Sequence, residues 1–445
     1  MANQRNRRRI SLGTFVMLAL TLVVCAGCLA VLPKLQGNTV LQVDASQVLN
    51  DLTLSGSLPE LSLSDIPIKV TTPQPTVPPA TPIPTLQPEV QQLMATPTPS
   101  LQTGTLTLGG GLYVETGVRK SAYFSEADTY DFEETLALLA PEMQSDLSIV
   151  PLNNLIMPGK KVSELIAPEE ALALLTTTGV DVVPLGFSQA FDQGMEGLNA
   201  TLTALRQRGM SAAGVYTTAT EANTPAILHA GGLKVSVLHY VDELSSTGAK
   251  KIKKEDAAFA VPTIQAETIA RDIDRARASG AQVVIVSLHW GAKGKTAPTK
   301  DQQALAQALA DSDADIIVGT GTKALQPIEM LTGKDHAGQP KQVLCAYNLG
   351  ALLSDDRDKT AYIGSALLHV KITCDASGHL TFDSMTYTPT YAWRYKQGSQ
   401  YQYRVVASDT AAPDAMSDDQ RKVMERSLES VRKVLEGSPV TPRTP

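Results

Sequence analysis

The sequence predicts an α/β domain carried on an amino-terminal membrane span, and three observations support this. Between residues 105 and 319, short apolar runs alternate with helical patterns. That alternation is the mark of βαβ units in a largely parallel sheet covered on both faces. After Gln342 the pattern changes to consecutive strands. Residues 10–33 carry no charged side chain and directly follow Arg7, Arg8 and Arg9.

Taken in order, residues 1–9 are basic and residues 10–33 are long enough to cross a bilayer core, for which about 20 apolar residues suffice. The arginines hold their end in the cytoplasm, so the chain beyond Lys34 is expected outside, as a single-pass protein of the cell membrane. An uncleaved signal anchor is the preferred reading. The competing one is a lipoprotein signal, because Cys25-Ala26-Gly27-Cys28 sets small residues before Cys28, a lipidation candidate. Residues 34–104 are expected to form an extended Pro/Thr-rich stalk, with Pro73, Pro75, Pro78, Pro79, Pro82, Pro84 and Pro88 closely spaced. Proline fixes φ and removes donors. At about 3.1 Å per residue the Pro-rich part spans on the order of 100 Å.

Residues 105–393 carry the folded domain. Strands are expected at 105–108, 147–152, 180–185, 235–240, 283–289, 316–319, 343–349, 361–373 and 380–387. Helices are expected at 132–144, 168–176, 195–208, 263–279 and 300–311; in the third, Leu198, Leu202 and Leu205 recur on one face. The turn from Asp375 to Gly378 joins the last two strands as a hairpin. Residues 394–445 read as a linker, an amphipathic helix at 417–436 and a short tail. Ser417 and Gln420 make a capping box, Gly437 ends the helix, and Val423, Leu428, Val431 and Leu435 form its stripe. That stripe is read as packing on the domain, with association as the alternative.

Composition narrows the function. The net charge is −7 over 445 residues, which argues against a nucleic-acid partner, since phosphate binding needs a basic face. Four cysteines are too few for a disulfide-built scaffold. Cys345 and Cys374 fall on strands open to being neighbours, so a disulfide and two buried thiols both remain open. No P-loop, dinucleotide fingerprint or nucleophile elbow is present.

In sheets of this kind ligands bind at the carboxyl ends of the strands. The loops there are Gly109-Gly110-Gly111, Leu152-Asn153-Asn154, Gly186-Phe187-Ser188-Gln189, His289-Trp290-Gly291 and Gly319-Thr320-Gly321-Thr322-Lys323. Further runs are Gly179-Val180-Asp181-Val182-Val183 leading to Asp192-Gln193-Gly194, and Ala314-Asp315-Ile316-Ile317-Val318-Gly319 leading to Gln326-Pro327-Ile328-Glu329. Tyr347-Asn348-Leu349-Gly350 follows. In this order and spacing, over about 105–391, they resemble the CapA family of poly-γ-glutamate capsule biosynthesis proteins. The resemblance implies a calcineurin-like metallophosphatase-type domain, layered with helices and ending in antiparallel strands. It also implies a place outside the membrane and work on an anionic envelope polymer.

The chain departs from that family where metal ligands are expected. Gly110 stands for an aspartate, Asn153 for a glutamate, Ser188 and Gln189 for an asparagine and a histidine, and Lys293 for a glutamate. Gly319-Thr320-Gly321-Thr322-Lys323 replaces a histidine-rich element, and Ala351 replaces an asparagine. A catalytic metal needs three or four protein ligands, and a lysine adds a cation where one should bind. No metal or other cofactor is therefore expected.

The crevice candidates are Asp192, His289, Trp290, Lys323, Asn153 and Gln189. His289 and Trp290 read first as a capped strand end with a packed aromatic, and Asp192 as a brace for the helix at 195–208. Gly109–Gly111 and Gly319–Gly321 read as tight turns before anion cradles. The Lys250, Lys251, Lys253, Lys254 run reads as a solvated loop. Three functions follow in order of preference. The first is a metal-free binding or scaffold protein for an anionic polymer or for envelope-synthesis proteins. The second is a hydrolase or transferase rearranged around His289, Asp192 and Lys323. The third is a structural or sensory ectodomain acting through the C-terminal helix.

Overall fold

A run such as Val283-Val284-Ile285-Val286 leaves no polar face, so both sides of its strand must be covered. In the computed structural model, which describes residues 101–443, helices cover one side and a second sheet covers the other. The expected span at 10–33, Cys28 and nearly all of the 34–104 stalk lie outside the described residues.

The main elements are β1 (Gln102–Leu108), β2 (Leu147–Ile149), β3 (Val182–Pro184), α1 (Gly194–Arg206), β4 (Ser211–Ala213), β5 (Leu228–Ala230), β6 (Leu233–Val241) and α2 (Ala266–Ala278). They continue with β7 (Val283–His289), α3 (Lys300–Ala310), β8 (Ile316–Thr320), β9 (Ile328–Lys334), β10 (Pro340–Ala346), β11 (Gly364–Cys374), β12 (Leu380–Gln397), β13 (Gln400–Ala407), α4 (Asp418–Val434) and β14 (Thr441–Pro442). One sheet runs β13-β12-β11-β1-β2-β3-β4, with β14 beside β12; the other runs β5-β6-β7-β8-β10-β9. In the first, β1 to β4 are parallel and β11 to β13 antiparallel. In the second, β6, β7, β8 and β10 are parallel, with antiparallel edges.

The expected largely parallel strands and antiparallel C-terminal strands are both present, and they are divided between two mixed sheets packed face to face. Between them lie Leu106, Leu108, Ile149 and Val182 of one sheet and Val235, Val283, Ile285, Ile316 and Leu344 of the other. Outside the second sheet, Ile269, Ile273, Ala306 and Leu309 of α2 and α3 cover Val284, Val286, Leu288 and Ile317. Outside the first sheet, Leu198, Leu202 and Leu205 of α1 pack near Val150 and Val183. An apolar run reports burial on both faces but not which partner buries each one.

Two expected helices are shorter and tighter. Pro141 cannot donate, and the 132–144 segment becomes one α-turn, Glu133–Leu136, followed by the 3-10 stretch Ala137–Met143. The 168–176 segment divides in the opposite order, into the 3-10 stretch Glu169–Leu172 followed by the α-turn Ala173–Thr176. The expected domain end at Trp393 falls inside β12, and β13 pairs with it from Thr390↔Ala407 to Gln397↔Gln400. Residues 394–407 are therefore sheet rather than linker.

Helix α4 has the expected capping box, with Ser417 and Gln420 bonded reciprocally. Gly437, at φ +75°, follows it. Its Met424, Ser427 and Val431 are buried, and a Cβ on Gly364 of β11 would lie 2.6 Å from the Ser427 hydroxyl. The apolar stripe is consumed by the domain itself.

Cys345 and Cys374 are free and buried, so the disulfide option is corrected. Cys345 lies on β10, in the helix-covered core of the second sheet, and Cys374 ends β11 of the first. Burial pushes the Cys345 thiol well above its usual range.

Candidate functional site

Alternation along a strand sends every second side chain to the same face. On the face of the second sheet turned to the first, apolar residues give way to polar ones at the carboxyl ends. Val235 and Val237 lead to His239, Val283 and Ile285 to Ser287 and His289, and Ile316 and Val318 to Thr320. A polar crevice between the sheets follows from that change.

His239 ties the sheets together there. Its Nε2 lies 2.7 Å from the Gly186 carbonyl, just past β3, and its Nδ1 lies 2.8 Å from Ser287 Oγ. A carbonyl only accepts, so Nε2 carries the proton and the neutral Nδ1 accepts from the serine. Gly214 packs on this ring: a Cβ there would sit 2.5 Å from His239 Cδ2. Burial pulls the imidazole down to about 4. His289 is likewise held at about 4 by burial, with its ring against Gly321.

The His239 shift has a defined pH consequence. The folded pKa lies below the unfolded value near 6.5, so the unfolded chain binds the extra proton between the two. This contribution is full above about pH 6.5, falls as pH drops toward 4 and then levels off. Urea unfolding from pH 7 to 4.5 should show wild type losing about 2.5 kcal/mol more than His239→Gln. Parallel stability profiles for the two proteins would refute it.

A chain of ionised groups fills the mouth of the crevice. Lys323 stands at φ +58°, is 8% exposed, and pairs its ammonium with Glu115 Oε1. Its Nζ also lies 3.4 Å from Ser354 Oγ, 3.9 Å from Asp356 Oδ2 and 4.6 Å from the centre of the Tyr113 ring. Glu115 Oε2 accepts from Ser354 Oγ at 2.7 Å and from the Asp355 amide at 3.0 Å. Burial pushes Glu115 upward, but the Lys323 ammonium outweighs it and holds the carboxyl below its ordinary range. Asp356 is paired with Lys293; that contact outweighs burial, lowers the acid and raises the amine. Asp355 is pushed up, by burial first and by the Glu115 charge.

The sequence candidates meet different fates. Trp290 is a packed aromatic: its Nε1 donates to the Tyr347 carbonyl at 2.9 Å and its ring stacks on Tyr347 in the helix-covered core. Asp192 accepts from the Ser245 hydroxyl, and its carbonyl accepts from Lys251, so it braces the two ends of the short helix Ser246–Lys251 and makes no cap on α1. Lys250, Lys251, Lys253 and Lys254 are all exposed, but the segment is helical at Ser246–Lys251 and Lys254–Ala257 rather than a loop. Asn153 sits beside Gly111 and donates to the Leu112 carbonyl at 3.4 Å. Gln189 is exposed. No hydrogen bond or ion pair joins any two of His289, Asp192 and Lys323 among the described residues.

The glycine loops are packing features. The Gly109 and Gly111 amides bond to the Ile149 and Gly350 carbonyls at 2.9 and 3.0 Å, so they make no nest. A Cβ on Gly319 would fall 1.8 Å from the Tyr347 carbonyl oxygen. Sequence reasoning missed Tyr113, Glu115, His239 and Asp356. Glu115 and Lys323 are 208 positions apart, and nothing local in either segment signals the pairing.

A metal of the kind the family resemblance implies does not fit these residues. Among the described residues no three His, Cys, Asp or Glu side chains gather as ligands. The carboxylate nearest Lys323 is already neutralised by that ammonium.

Fold and site together define a layered α/β/β/α protein whose crevice, at the carboxyl ends of two facing sheets, is bridged by its own ion pairs. The chain belongs to the bacterial capsule synthesis protein family PGA_cap, which matches residues 105–356. It is 26% identical over 192 residues to the capsule biosynthesis protein CapA of Bacillus anthracis, covering 43% of this chain and 44% of that one. It is 26% identical over 166 residues to the PGA biosynthesis protein CapA of Bacillus subtilis (strain 168), covering 37% and 42%. The match thus spans less than half the length of these curated relatives. Among solved structures, it is similar to the NAD nucleotidase of Haemophilus influenzae, with TM-score 0.42 and 12% identity, over 78% of this chain and 58% of that one. It is also similar to the calcineurin-like phosphoesterase YfkN of Bacillus subtilis, with TM-score 0.36 and 12% identity, over 75% and 99%.

Proposed function

We propose that this family member is a membrane-tethered, extracytoplasmic protein that binds or scaffolds an anionic envelope polymer, or the proteins that make it, without metal chemistry. The observation that carries this reading is the Lys323–Glu115 pair. A protein ammonium stands in the mouth of the crevice, already matched to a carboxylate. The positions that the family resemblance would make ligands hold Gly110, Asn153, Gln189, Thr320, Gly321 and Lys323, and among the described residues no three His, Cys, Asp or Glu side chains gather to hold a cation. Hard and borderline divalent ions need several such donors at once. The uncharged run at 10–33 and the Pro-rich 34–104 segment supply a tether and a spacer on this reading.

Elemental analysis of the purified full-length chain tests it. Zinc, manganese, iron, calcium and magnesium should all be well below one per chain, and His289→Ala should leave the content unchanged. One tightly bound divalent ion per chain, lost in His289→Ala, would sink the proposal.

A further inference from the structure

The loop Ser354-Asp355-Asp356-Arg357 leaves the crevice and delivers its last residue to a different surface. The Arg357 Nη1 donates to the Ala392 carbonyl of β12 at 2.6 Å, and the guanidinium lies 5.4 Å from the Tyr403 ring centre. Its Nε and Nη2 are out of reach of solvent and have no partner. These two nitrogens share one edge of the planar group and form a fork of parallel donors, the geometry that grips the two oxygens of a carboxylate. Buried donors rarely go unmatched, since each costs free energy.

The neighbours on that face are cationic and aromatic. Ala392, Arg394 and Lys396 alternate along β12, and in the hairpin Arg394 lies opposite Tyr403 and Lys396 opposite Tyr401. The Arg394 guanidinium is 4.4 Å and the Lys396 ammonium 5.4 Å from the Tyr401 ring centre. Tyr401 is 46% exposed. Nearby carboxylates are engaged elsewhere: Asp356 with Lys293, Glu134 with Arg404, and Asp355 with the Gly117 amide. Burial first, with the Arg394 charge adding to it, holds Arg357 below its ordinary range against the opposing pull of Tyr403, Tyr391 and Asp355. Like charges so placed repel unless an anion is brought among them. In a chain of net charge −7, this is a local reversal of sign.

We propose that Arg357, Arg394 and Lys396, with the exposed face of Tyr401, bind a carboxylate-bearing polymer, one carboxylate seating on the unpaired Nε/Nη2 edge of Arg357. Arg394 and Lys396 take successive carboxylates along the hairpin. Because the Arg357 edge is out of reach of solvent in the free protein, seating a ligand requires the side chains over it to move. The identity of the ligand rests on the polymer-binding reading above, whereas the surface stands on its own geometry.

The test is calorimetric titration of the full-length chain in detergent with poly-L-glutamate at low salt, with polyphosphate as a second probe. Wild type should bind poly-L-glutamate more tightly than polyphosphate. Arg357→Lys, which keeps the charge and loses the fork, should weaken it by about tenfold or more. Arg394→Glu/Lys396→Glu, at a half-buried and an exposed position of the hairpin, should abolish it in a sample shown to be folded. Lys253→Glu/Lys254→Glu, in the lysine run, should leave it unchanged. Binding that survives Arg394→Glu/Lys396→Glu would overturn the surface while leaving polymer binding intact. A preference for polyphosphate would overturn the carboxylate assignment. Absence of any binding by wild type would overturn the inference, and the metal-free reading would still be decided by its own measurement.

Discussion

Lys323→Met should destabilise the protein by about 3–5 kcal/mol, the range for removing one partner of a buried ion pair. The Lys323 side chain is 10% exposed and that of Glu115 23%, so water screens the pair poorly. Without the ammonium, Glu115 keeps the Ser354 hydroxyl and the Asp355 amide as donors and its charge faces Asp355, while the remaining Lys293 ammonium is already paired with Asp356. Methionine matches the lysine stem and meets the same left-handed backbone at φ +58°, so the comparison isolates charge from strain and volume. Adding Glu115→Gln to Lys323→Met should recover most of the loss, because the stranded charge is then gone. The single variant should also recover relative to wild type as the pH falls: against the upward push of burial, Glu115 is held below its ordinary range chiefly by Lys323, with the Ser354 hydroxyl and the Asp355 amide adding to it, and in the variant it takes up a proton more readily. Urea unfolding of the three proteins measures all of this. A loss below about 1 kcal/mol would place the pair among weak surface contacts and remove its claim to organise the crevice.

What the sequence made legible follows from distance along the chain. Periodicity marks α1, α3 and α4 because each apolar stripe is local, and the Ser417/Gln420 box is readable because its two halves are three residues apart. The strand at 283–289 is matched end to end by β7. The second sheet as a cover was not readable, since Val283 and Val284 look alike whether a helix or a strand lies above them. β13 was hidden because its side chains are polar: Gln400, Tyr401, Gln402 and Arg404 alternate with little apolar contrast. At the site, family spacing located the loops, and the residues standing in them already argued against a metal. It did not locate what fills the crevice. Glu115 follows Tyr113 on a segment with no motif of its own, and His239 lies inside an apolar strand where its ring looks like a core residue. The Arg357 fork is a property of three loops and strands brought together, which spacing alone does not encode.

The second large effect lies at the other end of the strands. Asp315→Ala should cost about 3–5 kcal/mol or more, for a reason distinct from that at Lys323. Asp315 is 1% exposed and accepts from the Val284 amide at 2.6 Å, from Arg277 Nη2 at 2.6 Å and from Lys341. Asp313 shares both cations, with Arg277 at 2.9 Å and Lys341 at 2.6 Å. Two acids and two bases therefore balance where α2 ends and where β7, β8 and β10 begin. Removing Asp315 leaves a buried amide without an acceptor and two cations with one carboxylate between them. Asp315→Asn, which keeps an oxygen for Val284, should fall between wild type and the alanine variant. This cluster sits at the amino ends of the strands and the crevice at their carboxyl ends. Below its lowered melting temperature, Asp315→Ala should therefore bind poly-L-glutamate as wild type does. Loss of polymer affinity in a sample shown to be folded would mean that the two ends of the domain are coupled, and that the hairpin face is held in place by the strands beneath it.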